Sequence, residues 1–423
     1  MLLGIHICNF EILQDTTFGI TFDELISLDA DAVVQIYDPA FNPLPGDRMP
    51  LGQINVLIGR NSTGKSAMFS ALSFLADCLR HNVAFASTKN GRVNFRHLKT
   101  EGVDADICYR IVLSGADENE FLGYDIRMAV DQHGRPYVAA ESVKRAWFNA
   151  KGAQHEILLE LENGRGSVRE DDELKEAAVV DTKAPALATY GMLLKYPALN
   201  RIYAQISRWF FDQIPLKALQ PLTSEKAGEG GHRHISFTGD NIKNVLEFLK
   251  NQDPVYYEEA IQRIAERMPA EKRIDKALNN GVSAGTRKLF ALLLLLEDPD
   301  PRPLICLEEP DAGLYHDMVD SLAFALRDYT IRHPDCQVLF TTHSPYILES
   351  MNPEEVWIFE RPVATIGSGD KASRTAGFTR TRSLARDPVV RAMHQEGIGL
   401  GAMWYSGHLD RAWDEVHAKD DSE

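Results

Sequence analysis

Apolar and polar residues alternate at the start of the chain, with Ile5, Ile7 and then Phe10 on the apolar beat, which predicts a strand. A stretch rich in Pro, Asp and Gly runs from Asp38 to Gly52 and reads as loop. The short apolar run Ile54-Asn55-Val56-Leu57-Ile58 predicts a second strand. Past a glycine-rich segment, apolar positions at Met68, Phe69, Leu72, Phe74 and Leu75 predict a helix over 66–79. From Ile107 to about Val168 the period drops to two, with runs over 108–113, 123–129 and 136–142. Hairpin turns are expected at Asp131-Gln132-His133-Gly134 and at Asn163-Gly164, so this part is an antiparallel β section.

The helical period returns between about Ala177 and Leu278, with amphipathic segments over 200–211, 242–249 and 255–268. A Gly-rich stretch, Gly228 to Gly231, separates the first of these from the second. Beyond it the pattern predicts a helix over 284–296, a strand over 304–307 and a helix over 314–331, then strands over 337–341 and 356–359. No repeat and no sustained heptad run is present, so no long coiled-coil arm is expected.

Length changes this picture by asking for two or three lobes, since 423 residues exceed the usual single core. The boundaries expected are an N-terminal lobe over 1–170, a mainly helical insertion over 171–280, a C-terminal lobe over 281–365 and a tail over 366–423. The formal charge of −16 (45 Lys plus Arg against 61 Asp plus Glu) argues against coating nucleic acid by charge alone, though a local basic patch stays compatible with it. Five scattered cysteines, Cys8, Cys78, Cys108, Cys306 and Cys336, read as buried reduced thiols in a reducing compartment rather than a disulfide frame or a metal site. The start lacks the basic and small-residue features of a signal peptide, and the longest apolar run, Leu289 to Leu296, is far too short to span a membrane. A soluble, cytoplasmic protein is expected.

Gly59-Arg60-Asn61-Ser62-Thr63-Gly64-Lys65-Ser66 fits G-x-x-x-x-G-K-[ST] and falls between a strand and a helix. The glycines let consecutive N–H groups wrap around phosphates, and the helix start adds a favourable dipole. Lys65 would neutralise the β/γ-phosphates of ATP, and the Ser66 hydroxyl would ligate Mg²⁺. The bland alternative is a glycine turn with a surface lysine; the strand–loop–helix order outweighs it.

Leu304 to Leu307 is an apolar strand ending in Glu308-Glu309, at the sheet edge where ligands of parallel folds bind. Glu308 is assigned to Mg²⁺ and Glu309 to polarising the attacking water as a general base. A second apolar strand, 337–341, leads to His343, which can contact the γ-phosphate, while Ser344-Pro345 suits a helix start. Ser283 and Gly285 open the helix over 284–296; alone they are an N-cap serine and a small residue.

These four elements in this order resemble the ABC-type ATPases, and more closely the single-chain predicted ATPases of the SMC-like and overcoming-lysogenisation (OLD) branch. IGRNSTGKS is similar to their phosphate loop, VSAGTRKLFALL to their signature helix, LICLEEPDAGLYH to their Walker B segment and VLFTTHSPYIL to their switch-histidine strand. IHICNF resembles their N-terminal strand; residues 80–270 match only loosely. The resemblance implies an α/β P-loop head with a helical insertion, and ATP sandwiched between two heads. Each phosphate loop would face the other subunit's Ser283 and Gly285, so that nucleotide binding closes a homodimer or higher homo-oligomer. It also implies roles in DNA maintenance or anti-phage defence beside a separate protein effector, with nucleic acid left open as a partner and no membrane. The chain departs from transporters, which usually have Asp-Glu where Glu308-Glu309 stands and an aspartate where Tyr315 stands. Thr286 replaces a common glutamine, and no Q-loop glutamine is placed.

The rivals are a transporter nucleotide-binding subunit and an ATP-gated sensor or scaffold with negligible turnover. A nuclease of the OLD type would need a domain larger than the 64 residues that follow Phe359 (423 − 359). Lys371, Arg374, Arg380, Arg382 and Arg386 form a local basic run, read as a solvated hairpin face before a phosphate-binding one. His232 and His234 lack further ligands nearby, and Asp171-Asp172-Glu173 reads as a charged loop.

Overall fold

The predicted first strand is β1 (Leu2–Phe10), and it turns back into β2 (Leu13–Gly19) with Cys8 opposite Asp15 and His6 opposite Thr17. In the computed structural model the described residues are 1–38, 44, 48–149, 152–171, 173–212, 233–236, 238–268, 283–361, 363–366, 373–376 and 378–409. The chain divides into two units. The first takes Met1–Gly52, Leu57–Trp209 and Val356–Asp387; the second takes Gln53–Val56, Phe210–Glu355 and Pro388–Glu423. The chain passes from the second to the first within β3 (Ile54–Ile58), whose residues are all buried.

The rest of the predicted antiparallel section lies in the first unit as β4 (Ile107–Ser114), β5 (Glu120–Val130), β6 (Pro136–Asn149), β7 (Gly152–Glu162), β8 (Arg165–Glu170) and β9 (Glu173–Ala178). With the first hairpin these form an eight-stranded antiparallel sheet in the order β2-β1-β4-β5-β6-β7-β8-β9. Both expected turns are present. The Asp131 carboxylate accepts from the N–H groups of His133 (2.8 Å) and Arg135 (2.9 Å), which closes the β5–β6 turn. Asn163 and Gly164 take φ of 49° and 78°, the positive values that a two-residue hairpin with native twist demands. Strand β9 has no legible pattern because it is a mostly exposed edge with no apolar face to mark.

The helix Lys65–Arg80 is buried on most sides and fills the core of this unit. The Tyr109 hydroxyl donates to the Ala71 carbonyl at 3.1 Å, and Phe10 packs at a tilt on Phe74 and edge-on against Tyr109. Near its end the buried Asp77 carboxylate is matched by Lys89 at 2.8 Å, Arg92 at 3.0 Å and Arg80 at 3.4 Å, so the ion is paired rather than stranded.

The second unit is built on a parallel sheet. Here β10 (Phe210–Asp212), β11 (Leu304–Leu307) and β12 (Gln337–Thr341) run side by side, with Ile305 opposite both Phe210 and Val338. The helix expected over 200–211 is therefore corrected: it spans Pro197–Ser207, and the aromatic pair Phe210-Phe211 joins the sheet as a strand. Two buried aromatics in succession suit a strand covered on both faces better than a one-sided helix. The helices Ile242–Gln252, Pro254–Arg267, Ala284–Leu296 and His316–Arg332 belong to this unit. Glu297, at the end of the third, accepts from Arg263 (2.8 Å), Arg267 (3.1 Å) and Arg332 (3.0 Å), which ties the second and fourth helices to a buried carboxylate on the third.

The chain returns to the first unit in β13 (Val356–Glu360), followed by the hairpin β14 (Val363–Ile366) and β15 (Ser373–Ala376) and by β16 (Arg380–Ser383). Strand β13 pairs antiparallel with β16, and Phe18 packs edge-on against Trp357 and Phe359. No helix among the described residues is long and apolar enough to cross a membrane.

Candidate nucleotide site

In the first unit, β3 hands over to the glycine loop with little freedom. Gly59 takes φ of 140°, and a Cβ there would stand 2.2 Å from the Phe359 carbonyl oxygen. Gly64, with φ of 112°, begins the helix, where a Cβ would meet the Thr379 side chain at 2.9 Å. Only glycine fits either place. Ser62 between them is also left-handed (φ 64°), a conformation in which consecutive N–H groups turn to one side and make an anion cradle.

The Lys65 side chain folds back across this loop. Its ammonium is buried and donates to the carbonyl oxygens of Gly59 (2.7 Å) and Arg60 (2.9 Å), and the Thr63 hydroxyl donates to Arg60 at 2.9 Å. Arg60, Asn61, Ser62 and Ser66 are exposed, so the crown of the loop and the first helical turn open to solvent. The surface-lysine alternative fails, because Lys65 is only 7% exposed.

In the second unit, β11 ends and both acids emerge exposed. Glu309 has a positive φ of 45°, which a residue with a side chain adopts only when its surroundings hold it there. Three bonds do so. Its N–H donates to the Thr341 hydroxyl at 3.0 Å, and its carbonyl accepts from the Lys288 ammonium at 2.8 Å and the Ala312 N–H at 3.0 Å. The carboxylate then lies 3.8 Å from His343 Nε2.

Ser283 is exposed and caps the helix Ala284–Leu296, its hydroxyl oxygen accepting from the Thr286 N–H at 3.2 Å. Gly285 is buried, and a Cβ on it would stand 2.4 Å from the Gly313 carbonyl oxygen. That helix start thus packs on the loop after the acid pair. Lys288 reinforces the join with a second bond, to the Ala312 carbonyl at 3.2 Å.

Lys288, Thr341, Thr342 and Asp311 were not singled out from sequence. A lysine inside a run of apolar helix positions was the available signal for the first. Burial lowers the Lys288 ammonium below its usual range, opposed by the nearby acids Asp212, Asp311 and Glu309. Asp311 Oδ2 accepts from the Thr342 hydroxyl at 2.8 Å, while its buried Oδ1 has no hydrogen-bond partner among the described residues. Burial raises that carboxyl. Asp311 lines a cavity of about 410 Å³ with Glu309, Tyr315, His316, His343 and Tyr346.

Ser66 and Glu308 offer an exposed hydroxyl and an exposed carboxylate, hard oxygen donors of the kind Mg²⁺ takes. The basic run is corrected. Arg382 is buried and paired with Glu360 (3.1 Å) and Asp387 (3.3 Å), and buried Arg386 donates to the carbonyls of Arg48 and Asp38. Neither is a solvated face or a phosphate ligand. Arg380 is exposed, whereas Lys371 and the Arg374 side chain lie outside the described residues. His234 pairs with Asp298 at 2.7 Å, and His232 lies outside the described residues.

A strand, a glycine loop closed by its own lysine, and an acid-ended parallel strand define a P-loop α/β nucleotide-binding fold. Residues 212–349 match the family model described as "AAA domain, putative AbiEii toxin, Type IV TA system". No curated protein matches the chain. Among solved structures the chain is similar to an SMC head domain from Thermotoga maritima, at 10% identity and a TM-score of 0.42, with 90% of this chain and 98% of that one covered. It is also similar to an Smc head domain with an extended coiled coil bound to the C-terminal domain of ScpA, derived from Pyrococcus furiosus, at 11% identity and a TM-score of 0.40, covering 94% and 99%.

Proposed function

We propose that this chain is an ATP-binding and hydrolysing ABC-type ATPase that uses the nucleotide as a dimerisation switch. The observation that carries the reading is the phosphate loop: two glycines where no side chain fits, a left-handed Ser62 and a buried Lys65. Such a loop is built to bind phosphate through backbone N–H groups and one ammonium. In this reading Gly59, Asn61, Ser62, Thr63 and Gly64 cradle the phosphates and Lys65 moves from the loop carbonyls to the β/γ-phosphates. Glu309 serves as general base, and His343 responds to the γ-phosphate. Ser66 and Glu308 would hold Mg²⁺, which would supply charge neutralisation on the phosphates. Ser283 and Gly285 act across the dimer on the partner's nucleotide. A separate protein effector in anti-phage defence or DNA maintenance completes the proposal, which rests there on resemblance alone.

Mixing two inactive variants tests the composite site. Ser283→Arg keeps ATP binding in each chain and removes hydrolysis, while Lys65→Ala removes binding. Combined, they regain part of the activity because one of the two sites is whole. Absence of recovery at every mixing ratio would mean that each subunit hydrolyses ATP alone, or not at all.

A further inference from the structure

The hairpin β1–β2 brings Asp15 up to His6 and Cys8, which stand two apart on the first strand. His6 Nε2 lies 3.1 Å from Cys8 Sγ and 3.2 Å from Asp15 Oδ1, and one ligand atom from each residue lies within 4.8 Å of the others. His6 and Cys8 share a face because they are two apart on one strand, and Asp15 sits directly opposite Cys8 on the next. We propose that His6, Cys8 and Asp15 form a binding site for a thiophilic divalent cation of the Zn²⁺ class.

Three features support the choice of ligand. Bonds of about 2.0–2.3 Å at a tetrahedral zinc place neighbouring ligand atoms roughly 3.3–3.6 Å apart, close to the His6–Cys8 and His6–Asp15 separations. The donor set is one thiolate, one imidazole and one carboxylate, which suits Zn²⁺ or Co²⁺ and excludes the all-oxygen preference of Mg²⁺ and Ca²⁺. The other ring nitrogen, His6 Nδ1, is 2.9 Å from the Thr17 hydroxyl, the outer-shell bond that orients a metal-binding imidazole. His6 and Cys8 are half-buried and Asp15 is exposed, so the cation has a route in and keeps an open coordination position.

The site would clasp a hairpin that backs the phosphate loop. Leu13 Cδ2 lies 3.1 Å from the Cβ position of Gly64, and Glu11 accepts from the Ser70 hydroxyl at 2.9 Å. The proposal does not depend on the ATPase reading, since it concerns a different set of residues.

Co²⁺ titration of the full chain, without nucleotide, followed by ultraviolet–visible absorption tests it. A thiolate-to-cobalt charge-transfer band in the near ultraviolet is expected, lost in Cys8→Ser and kept in Cys108→Ser, the cross-strand neighbour on β4. Asp15→Asn, a surface change that leaves the fold intact, keeps the band but weakens binding. Thr17→Val weakens it by about 10- to 100-fold through the ring orientation. No band, a band that survives Cys8→Ser, or one that depends on Cys108 instead overturns the site.

Discussion

The Lys288 ammonium donates to the main-chain carbonyl of Glu309 at 2.8 Å, from the helix that Ser283 caps to the loop that carries the acid pair. A buried cation is thus spent on holding a backbone in a left-handed turn rather than on a carboxylate. The turn in turn sets where the Glu309 side chain points.

That relationship gives the first prediction. Lys288→Met keeps the volume of the buried stem but removes both carbonyl contacts, so the acid loses its fixed aim. Turnover should fall about 100-fold, the cost of misplacing a reacting group by roughly an ångström. ATP affinity should stay unchanged, because Lys288 is not part of the phosphate loop. Phosphate release paired with calorimetry checks both halves, and normal turnover would detach the turn from catalysis.

Lys65→Ala should abolish ATP binding. The ammonium is the buried cation of the loop, and its partners Gly59 and Arg60 offer only carbonyls to it. Unchanged affinity by calorimetry would sink the phosphate-loop assignment.

The acid pair should separate by role. Glu309→Gln keeps size but loses basicity, so hydrolysis should drop by about 10²–10⁴-fold while ATP binding survives and the closed dimer accumulates. Glu308→Gln should weaken Mg²⁺ dependence and binding together. Size-exclusion in ATP and Mg²⁺ alongside phosphate release tells them apart. A dimer trapped by Glu308→Gln, with Glu309→Gln turning over normally, would reverse the two assignments.

A pH effect on stability is expected at Glu141. Burial pushes this carboxyl from 4.5 up to about 7, against the N–H groups of Leu187 and Ala186 and the Tyr124 hydroxyl, which favour the charged form. The folded chain therefore keeps a proton that the unfolded chain releases above about 4.5. Stability from this group is full below that pH, falls as pH rises towards 7 and is flat beyond, a change of at most about 3 kcal/mol. Glu141→Gln, which cannot ionise, should gain on the wild type in melting temperature between pH 5 and pH 8. A gap between the two that does not move with pH would place the proton elsewhere.

Local chemistry made much of the site legible. Gly59, Gly64 and Lys65 are fixed by spacing because phosphate binding needs glycines and a lysine at set intervals, and the run from Leu304 to Glu309 announced a buried strand ending in acids. The parallel strands β11 and β12 fall on the predicted residues, since continuous burial leaves a continuous apolar run. What the chain alone could not disclose depends on residues distant in sequence. Lys288 became a backbone clamp only when its helix packed on the turn after Glu309, and Arg382 and Arg386 left the surface only when Glu360, Asp387 and the Arg48 carbonyl met them. Phe210-Phe211 ended a helix because a parallel neighbour was there to pair with, an outcome that pairing across the sheet decides and local propensity does not. Cys8, expected as a buried thiol, is half-buried and gained Asp15 as a neighbour through strand register, which a linear pattern of residues does not encode.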